Sequence, residues 1–187
     1  KIIIEGDAFP SDIYAVESHM KHHGIDPSES LIKLRPREGE VIIRLDDIIN
    51  VIEQNSESVS LIMLGGVNYY TGQLFDMKKI TQVAHNHGIL VGFDLAHAVG
   101  NVLLLLHDWN VDFAVWCSYK YLNSGPGSVA GAFIHERHHN KNLERFAGWW
   151  GHDKESRFKM PDQFQPIQTA EGWQLSNPSI LSLAAVR

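Results

Sequence analysis

Apolar residues recur along this chain in two rhythms. Short unbroken apolar runs, bounded by turn residues, read as strands: Lys1 to Glu5, Leu31 to Leu34, Val59 to Leu64, Ile89 to Phe93, the front half of Val111–Gly131, and Val129 to His135. Runs without polar alternation suit strands buried on both faces, as in a parallel sheet. Between them, apolar residues return every three or four positions and predict helices. The first starts at Ser11 or Asp12 and reaches about Gly24, with Ile13, Val16 and Met20 on one face. The next two cover Leu45 to Gln54 (Leu45, Ile48, Ile49, Ile52) and Asp76 to Gly88 (Met77, Ile80, Val83), and a fourth covers Glu136 to Phe146. Leu103 to Trp109 reads as a short amphipathic element. Ser176-Asn177-Pro178, a polar cap followed by proline, opens a last helical pattern, Ile180 to Val186, and its amides would also suit an anion. The strand–helix rhythm from Lys1 to Phe146 predicts an α/β fold: a mostly parallel sheet with helices on both faces.

Two strand ends carry chemistry. After VDFAVWCSY comes Lys120, among Ser118, Tyr119 and Tyr121 and ahead of the breaker run Ser124-Gly125-Pro126-Gly127-Ser128. Ligands of open α/β sheets bind at the carboxyl edge, where a partly desolvated amine becomes a nucleophile toward an aldehyde. The other reading is a lysine reaching into solvent. In GILVGFDLAHAVG, Asp94 closes an apolar run and His97 follows three residues later. A carboxylate there calls for a cationic partner, or it caps a helical turn over Ala96 to Gly100. A lysine for a Schiff base and a carboxylate to hold a pyridine nitrogen protonated are what a pyridoxal phosphate enzyme requires.

The chain has 187 residues, a length that suggests one domain, and a net charge of −6 gives no case for nucleic acid or anionic membrane. No apolar run approaches the ~20 residues of a membrane span, and the one in KIIIEGDAFP is too short for a secretory signal. The lone Cys117 fits a reducing compartment, hence the cytoplasm. It lies in the apolar part of the lysine strand, which favours burial over catalysis. No metal is expected: neither His85 and His87 nor the run His135-Glu136-Arg137-His138-His139 has a partner cluster at zinc-site spacing, and the latter reads as solvated surface. Arg35 and Arg37 read as a solvated loop.

FDLAHAVGN, CSYKYLNSGPGSVAGAF, FPSD and GWWGH together resemble the kynureninase family of fold-type-I pyridoxal phosphate enzymes. The resemblance runs over the whole chain. Asp-x-x-His followed by Ser-Tyr-Lys marks the wider aminotransferase class V group, and the other stretches point to kynureninases within it. The family is much longer, so the resemblance implies that residues 1–187 are the central part of a large cofactor-binding domain. It also implies hydrolysis of L-kynurenine or 3-hydroxykynurenine to alanine and an anthranilate, a step of tryptophan catabolism toward NAD, by a homodimer. Lys120 would bond the cofactor and move the Cα proton. Asp94 would face the pyridine nitrogen, Tyr119 the phosphate, and His97 the ring. Phe9, Pro10, Ser11 and Asp12 would lie over the cofactor, with the Phe9 ring stacked on it. Trp149 and Asn177 would complete the phosphate end from a partner subunit, and Trp149 and His152 would meet the substrate's aryl end. Where the family has a small polar residue, this chain has Gly65, so a side-chain contact from that position is in doubt. The alternatives are another class V enzyme, such as a cysteine desulfurase or aminotransferase, and a non-catalytic interaction subunit; Cys117, set in a strand, does not help the desulfurase reading.

Overall fold

The computed structural model describes residues 1–186. Along the chain come β1 (Ile2–Glu5), α1 (Pro10–His22), α2 (Pro27–Ser30), β2 (Leu31–Leu34), α3 (Leu45–Gln54), β3 (Leu61–Gly65), α4 (Met77–Asn86), β4 (Leu90–Asp94), β5 (Phe113–Trp116), β6 (Gly131–Ile134) and α5 (Ile180–Leu183). The strands form one sheet in the order β2-β1-β3-β4-β5-β6. β1 to β5 pair in parallel, and β6 runs antiparallel to β5.

Strand alternation divides the core. Ile3, Ile62, Leu64, Val91 and Phe93 point to one side, where they join Ile48 and Ile52 of α3 and Ile80 and Ala84 of α4 in a single buried cluster. Burying each such side chain contributes ~1.5–3 kcal/mol, which is why the helices adopt the faces their periodicity predicts. Ile4 and Met20 of α1 are buried apart from that cluster. Local signals set the helix ends. Pro10 occupies the first turn of α1 behind Phe9, so Ser11 and Asp12 stand inside the helix instead of capping it. Asp76 caps α4 by accepting from Lys79 N (2.9 Å), and Gly88, at φ 72°, turns the chain out.

The rhythm breaks after β4. Leu103 to Trp109 forms no helix, although Val102, Leu104, Leu106 and Trp109 still pack on the core from irregular chain. Glu136 to Phe146 is not a helix either: a 3₁₀ turn at Glu136–His138 ends before Asn140, which is left-handed at φ 59°, and Phe146 is exposed. The last helix starts at Ile180, behind Ser179, and not on Ser176-Asn177-Pro178; its four residues continue as a 3₁₀ turn to Val186.

The histidine run is not solvated surface. His135 is buried, and Arg137 and His138 turn inward to Asp112, just ahead of β5. The Asp112 carboxylate accepts from Val91 N (2.8 Å), His85 Nε2 (2.8 Å), His138 Nε2 (2.7 Å) and Arg137 Nη2 (2.5 Å). It thereby ties the end of α4, the start of β4 and the turn after β6 together at the amino edge of the sheet. Burial alone would raise its pKa, but the bonds from Arg137, His85, Val91 N and His138 outweigh this and bring it to about 2. A carboxyl held below its unfolded value of about 3.9 gives stability that is present above that pH and lost as pH falls toward 2. Asp112→Ala, which leaves these donors facing a void, should cost about 3–5 kcal/mol in urea unfolding at pH 7. The gap between parent and variant should narrow between about pH 4 and pH 2.

Candidate active site

Parallel pairing delivers the carboxyl ends of β1, β3, β4 and β5 to one edge, in the register Gly65 beside Asp94 and Asp94 beside Val115. The chain leaves β1 toward β2 on one side and reaches β3 on the other, so the edge opens between β1 and β3. There a cleft of about 290 Å³ is lined by Glu5, Phe9, Ser11, Asp12, Asn68, Tyr69, Asp94, His97, Cys117, Tyr119 and Lys120, among others.

Lys120 stands on the loop between the antiparallel strands β5 and β6. The base of this loop is pinned: Ser118 Oγ donates to Val129 O (2.7 Å), and Ser124 Oγ to Ser118 Oγ (2.8 Å). Asn123, Gly125 and Gly127 supply its left-handed turns, at φ 57°, 81° and 79°. Lys120 Nζ lies 2.9 Å from His97 Nε2 and 5.7 Å from the centre of the Phe9 ring. An ammonium donates to that nitrogen only if it carries a lone pair, which puts the imidazole proton on Nδ1. Burial first, then the Lys120 charge, hold His97 below its usual pKa, against the pull of Asp94.

Asp94 accepts from Ala96 N (2.7 Å) through Oδ1. This is the turn-capping contact, made without a following helix. Asp12 faces Asp94 from the first turn of α1. Burial, the Asp94 charge, a hydrogen bond to Asp94 and the Glu5 charge raise Asp12 to about 7, with Lys120 opposing. Asp12 therefore holds its proton well above the usual carboxylate range. Tyr119 is half exposed, and its hydrogen bond with Cys117 pushes the phenol up. Phe9 meets Tyr69 edge to face at 5.3 Å, forming the wall opposite the sheet.

The other expected residues lie elsewhere. Pro10 heads α1 and does not line the cleft. Trp149 Nε1 donates to Arg157 O (3.0 Å), and its ring packs edge-on against Phe158. His152 is buried, with Nε2 bonded to Ser156 Oγ (3.0 Å) and Nδ1 accepting from Gln165 N (3.1 Å); it secures the fold of its own segment. Asn177 sits on extended chain before α5. Trp149, His152 and Asn177 do not line the cleft within one chain. Sequence reading passed over Glu5; Asn68 and Tyr69 lie on the loop Gly65 to Gln73, whose glycines, hydroxyls and amide at the carboxyl edge of the sheet mark it as ligand-facing. For Glu5 the signal was available: IIIEG ends in a carboxylate as VGFD does. Among the described residues no group of three or more His, Cys, Asp or Glu side chains could hold a metal ion, and no helix is long and apolar enough to cross a membrane.

A mostly parallel α/β sheet brings a lysine and a carboxyl to one cleft at its carboxyl edge. A model of the aminotransferase class-V family matches residues 11–148, and the chain belongs to that family. Among curated relatives, a kynureninase of Koribacter versatilis is 60% identical over 187 residues, covering 100% of this chain and 44% of its own length. Another, of Flavobacterium psychrophilum, is 59% identical over 98% of this chain and 44% of its own. A kynureninase of Nematostella vectensis is 56% identical over 100% of this chain and 40% of its own. The chain thus spans less than half the length of these relatives. Its fold is similar to that of a cysteine desulfurase of Escherichia coli (TM-score 0.77, 16% identity, 99% of this chain and 43% of that one). It is similar as well to a cystine C-S lyase solved with cysteine persulfide (TM-score 0.76, 19% identity, 99% and 47%).

The Asp12–Asp94 pair makes a prediction for the cofactor-free protein. A carboxyl whose folded pKa lies above its unfolded value weakens the fold as pH rises between the two. Asp12→Asn keeps a neutral side chain at every pH. Its stability in urea should gain on the parent from about pH 4 to about pH 7 and then hold a constant margin. A margin that does not vary with pH would show that Asp12 ionises normally.

Proposed function

We infer that this chain carries the cofactor-holding part of a pyridoxal phosphate enzyme that hydrolyses L-kynurenine, or its 3-hydroxy form, to alanine and the matching anthranilate. The observation that carries the reading is the pairing of Lys120 and Asp94 across one cleft, in a chain 56–60% identical over nearly its whole length to kynureninases of distant organisms. The cleft residues fit the group: an amine for the aldehyde, the Asp94 carboxyl for the ring nitrogen, and aromatic rings at Phe9 and Tyr69. When bound, the cofactor supplies an electron sink for the bond-breaking steps.

This chain's residues do the rest. Lys120 would hold the cofactor and, with its amine free, would serve as the base for the substrate's Cα proton. His97, a neutral acceptor 2.9 Å from Lys120 Nζ, can receive a proton from it. Asp94 would keep a positive charge at the ring nitrogen, and Asp12, as a neutral acid, would donate to Asp94 without adding a second negative charge there. Tyr119, exposed at the mouth of the cleft, is available to the phosphate and as a proton relay. Trp149 and Asn177 serve the cleft of a second subunit in a two-fold dimer. The free thiol of Cys117 beside the cleft suits the reducing cytoplasm.

In the full-length protein, Lys120→Ala should abolish the visible absorbance of bound cofactor and all release of fluorescent anthranilate from kynurenine. Borohydride-trapped cofactor on another lysine would end the assignment. Asp94→Asn should retain the cofactor and lose about a hundredfold or more in kcat, the range for lost electrostatic stabilisation; a loss below twofold would remove Asp94 from this role.

A further inference from the structure

Glu5 is the buried carboxyl of the cleft that the mechanism leaves without a role. It ends β1 where the sheet edge opens, and it is 2% exposed. Its Oε1 accepts from Gly65 N (2.6 Å) and its Oε2 from Asn68 Nδ2 (2.7 Å). Asn68 cannot turn its amide around. Its Oδ1 already accepts from Tyr70 N (2.9 Å), Thr71 N (2.9 Å) and Thr71 Oγ1 (3.1 Å), so it must present a donor to residue 5. With Gly65 N as the second donor, position 5 needs two acceptor atoms, and an amide side chain offers one.

The two bonds reach both sides of the cleft. The peptide after Gly65 donates from Gly66 N to Asp94 O (2.8 Å), so the Gly65 contact bears on where β4 ends. Tyr69, next to Asn68, is the residue that meets Phe9 edge to face. Glu5 also fills the room a side chain at 65 would need: a Cβ there would lie 2.9 Å from Glu5 Oε1. In this chain the glycine and the glutamate occupy that space jointly.

We propose that Glu5 and Asn68 are a positioning pair for the cofactor, holding Asp94 on one side of the cleft and the Phe9–Tyr69 wall on the other. This rests on the reading of the cleft as a pyridoxal phosphate site. Glu5 touches neither substrate nor reacting atoms and acts through Gly65 and Asn68.

The test uses the full-length protein, with the dissociation constant for pyridoxal phosphate and the circular dichroism of its bound visible band as readouts. E5Q sets an amide donor against the Asn68 amide and should weaken binding about tenfold and diminish the band, the scale of one unmade buried hydrogen bond. N68D, which sets two carboxylates face to face, should do the same. The double variant E5Q/N68D moves the carboxylate across the pair. The new amide at position 5 then donates to the new carboxylate at position 68, whose other oxygen keeps the Tyr70 and Thr71 donors, so affinity should return to within about threefold of the parent and the band should recover. If E5Q does not fold, the comparison is N68D against the double variant. Parent-like binding and dichroism in both single variants would overturn the proposal, as would a double variant that misfolds or does no better than they do. Kynurenine turnover by the parent is scored separately: a parent that binds the cofactor but leaves kynurenine intact fails the functional reading alone.

Discussion

Charge at one sheet edge governs this structure. Parallel pairing forces the ends of β1, β3, β4 and β5 together, and the chain places Glu5 and Asp94 at two of those ends and Asp12 opposite them. Three carboxyls converge on Lys120. They cannot all ionise side by side in a partly desolvated cleft. Each meets the constraint differently: Glu5 spends both oxygens on N–H donors, Asp12 holds its proton in a hydrogen bond with Asp94, and Asp94 accepts a backbone amide through Oδ1.

The opposite edge meets the reverse problem. Around Asp112 the donors outnumber the acceptor: two imidazoles, a guanidinium and an amide share one buried carboxylate. The result is a fixed charge with a low pKa, whereas Glu5 and Asp12 in the cleft are pushed upward, chiefly by burial. One residue type thus serves as a rigid tie at the amino ends of the strands and as adjustable acid–base chemistry at their carboxyl ends.

The parts legible in the sequence are those that local patterning controls. Asp94 and Lys120 stand out because a charge at the end of an apolar run has few structural reasons to be there, and the same logic applied to IIIE would have found Glu5. The helices over Leu45–Gln54 and Asp76–Gly88 follow from stripes that a flat sheet must cover. What stayed hidden depends on distant partners. Nothing local tells Arg137 and His138 to abandon a helix for an aspartate placed far back in the chain, or His152 to spend both ring nitrogens inside its own loop. The chain over Leu103–Trp109 packs Leu104, Leu106 and Trp109 on the core from an irregular path while Leu103 and Leu105 stay exposed, an arrangement that its unbroken apolar run does not specify.

The pinned base of the lysine loop bears on how such a cleft changes over evolutionary time. Ser118 and Val129 are joined across the loop, and Ser124 closes on Ser118, so Lys120 belongs to a small closed ring whose far side, from Gly125 onward, is turn-forming chain. Lengthening that far side costs little, since doubling a loop adds only about 0.6 kcal/mol of closure entropy. Insertions or deletions there leave the ring, and the reach of the amine, unaltered. The antiparallel return through β6 thus separates Lys120 from the residues free to vary, so a lineage can reshape the mouth of the cleft while keeping the lysine in place.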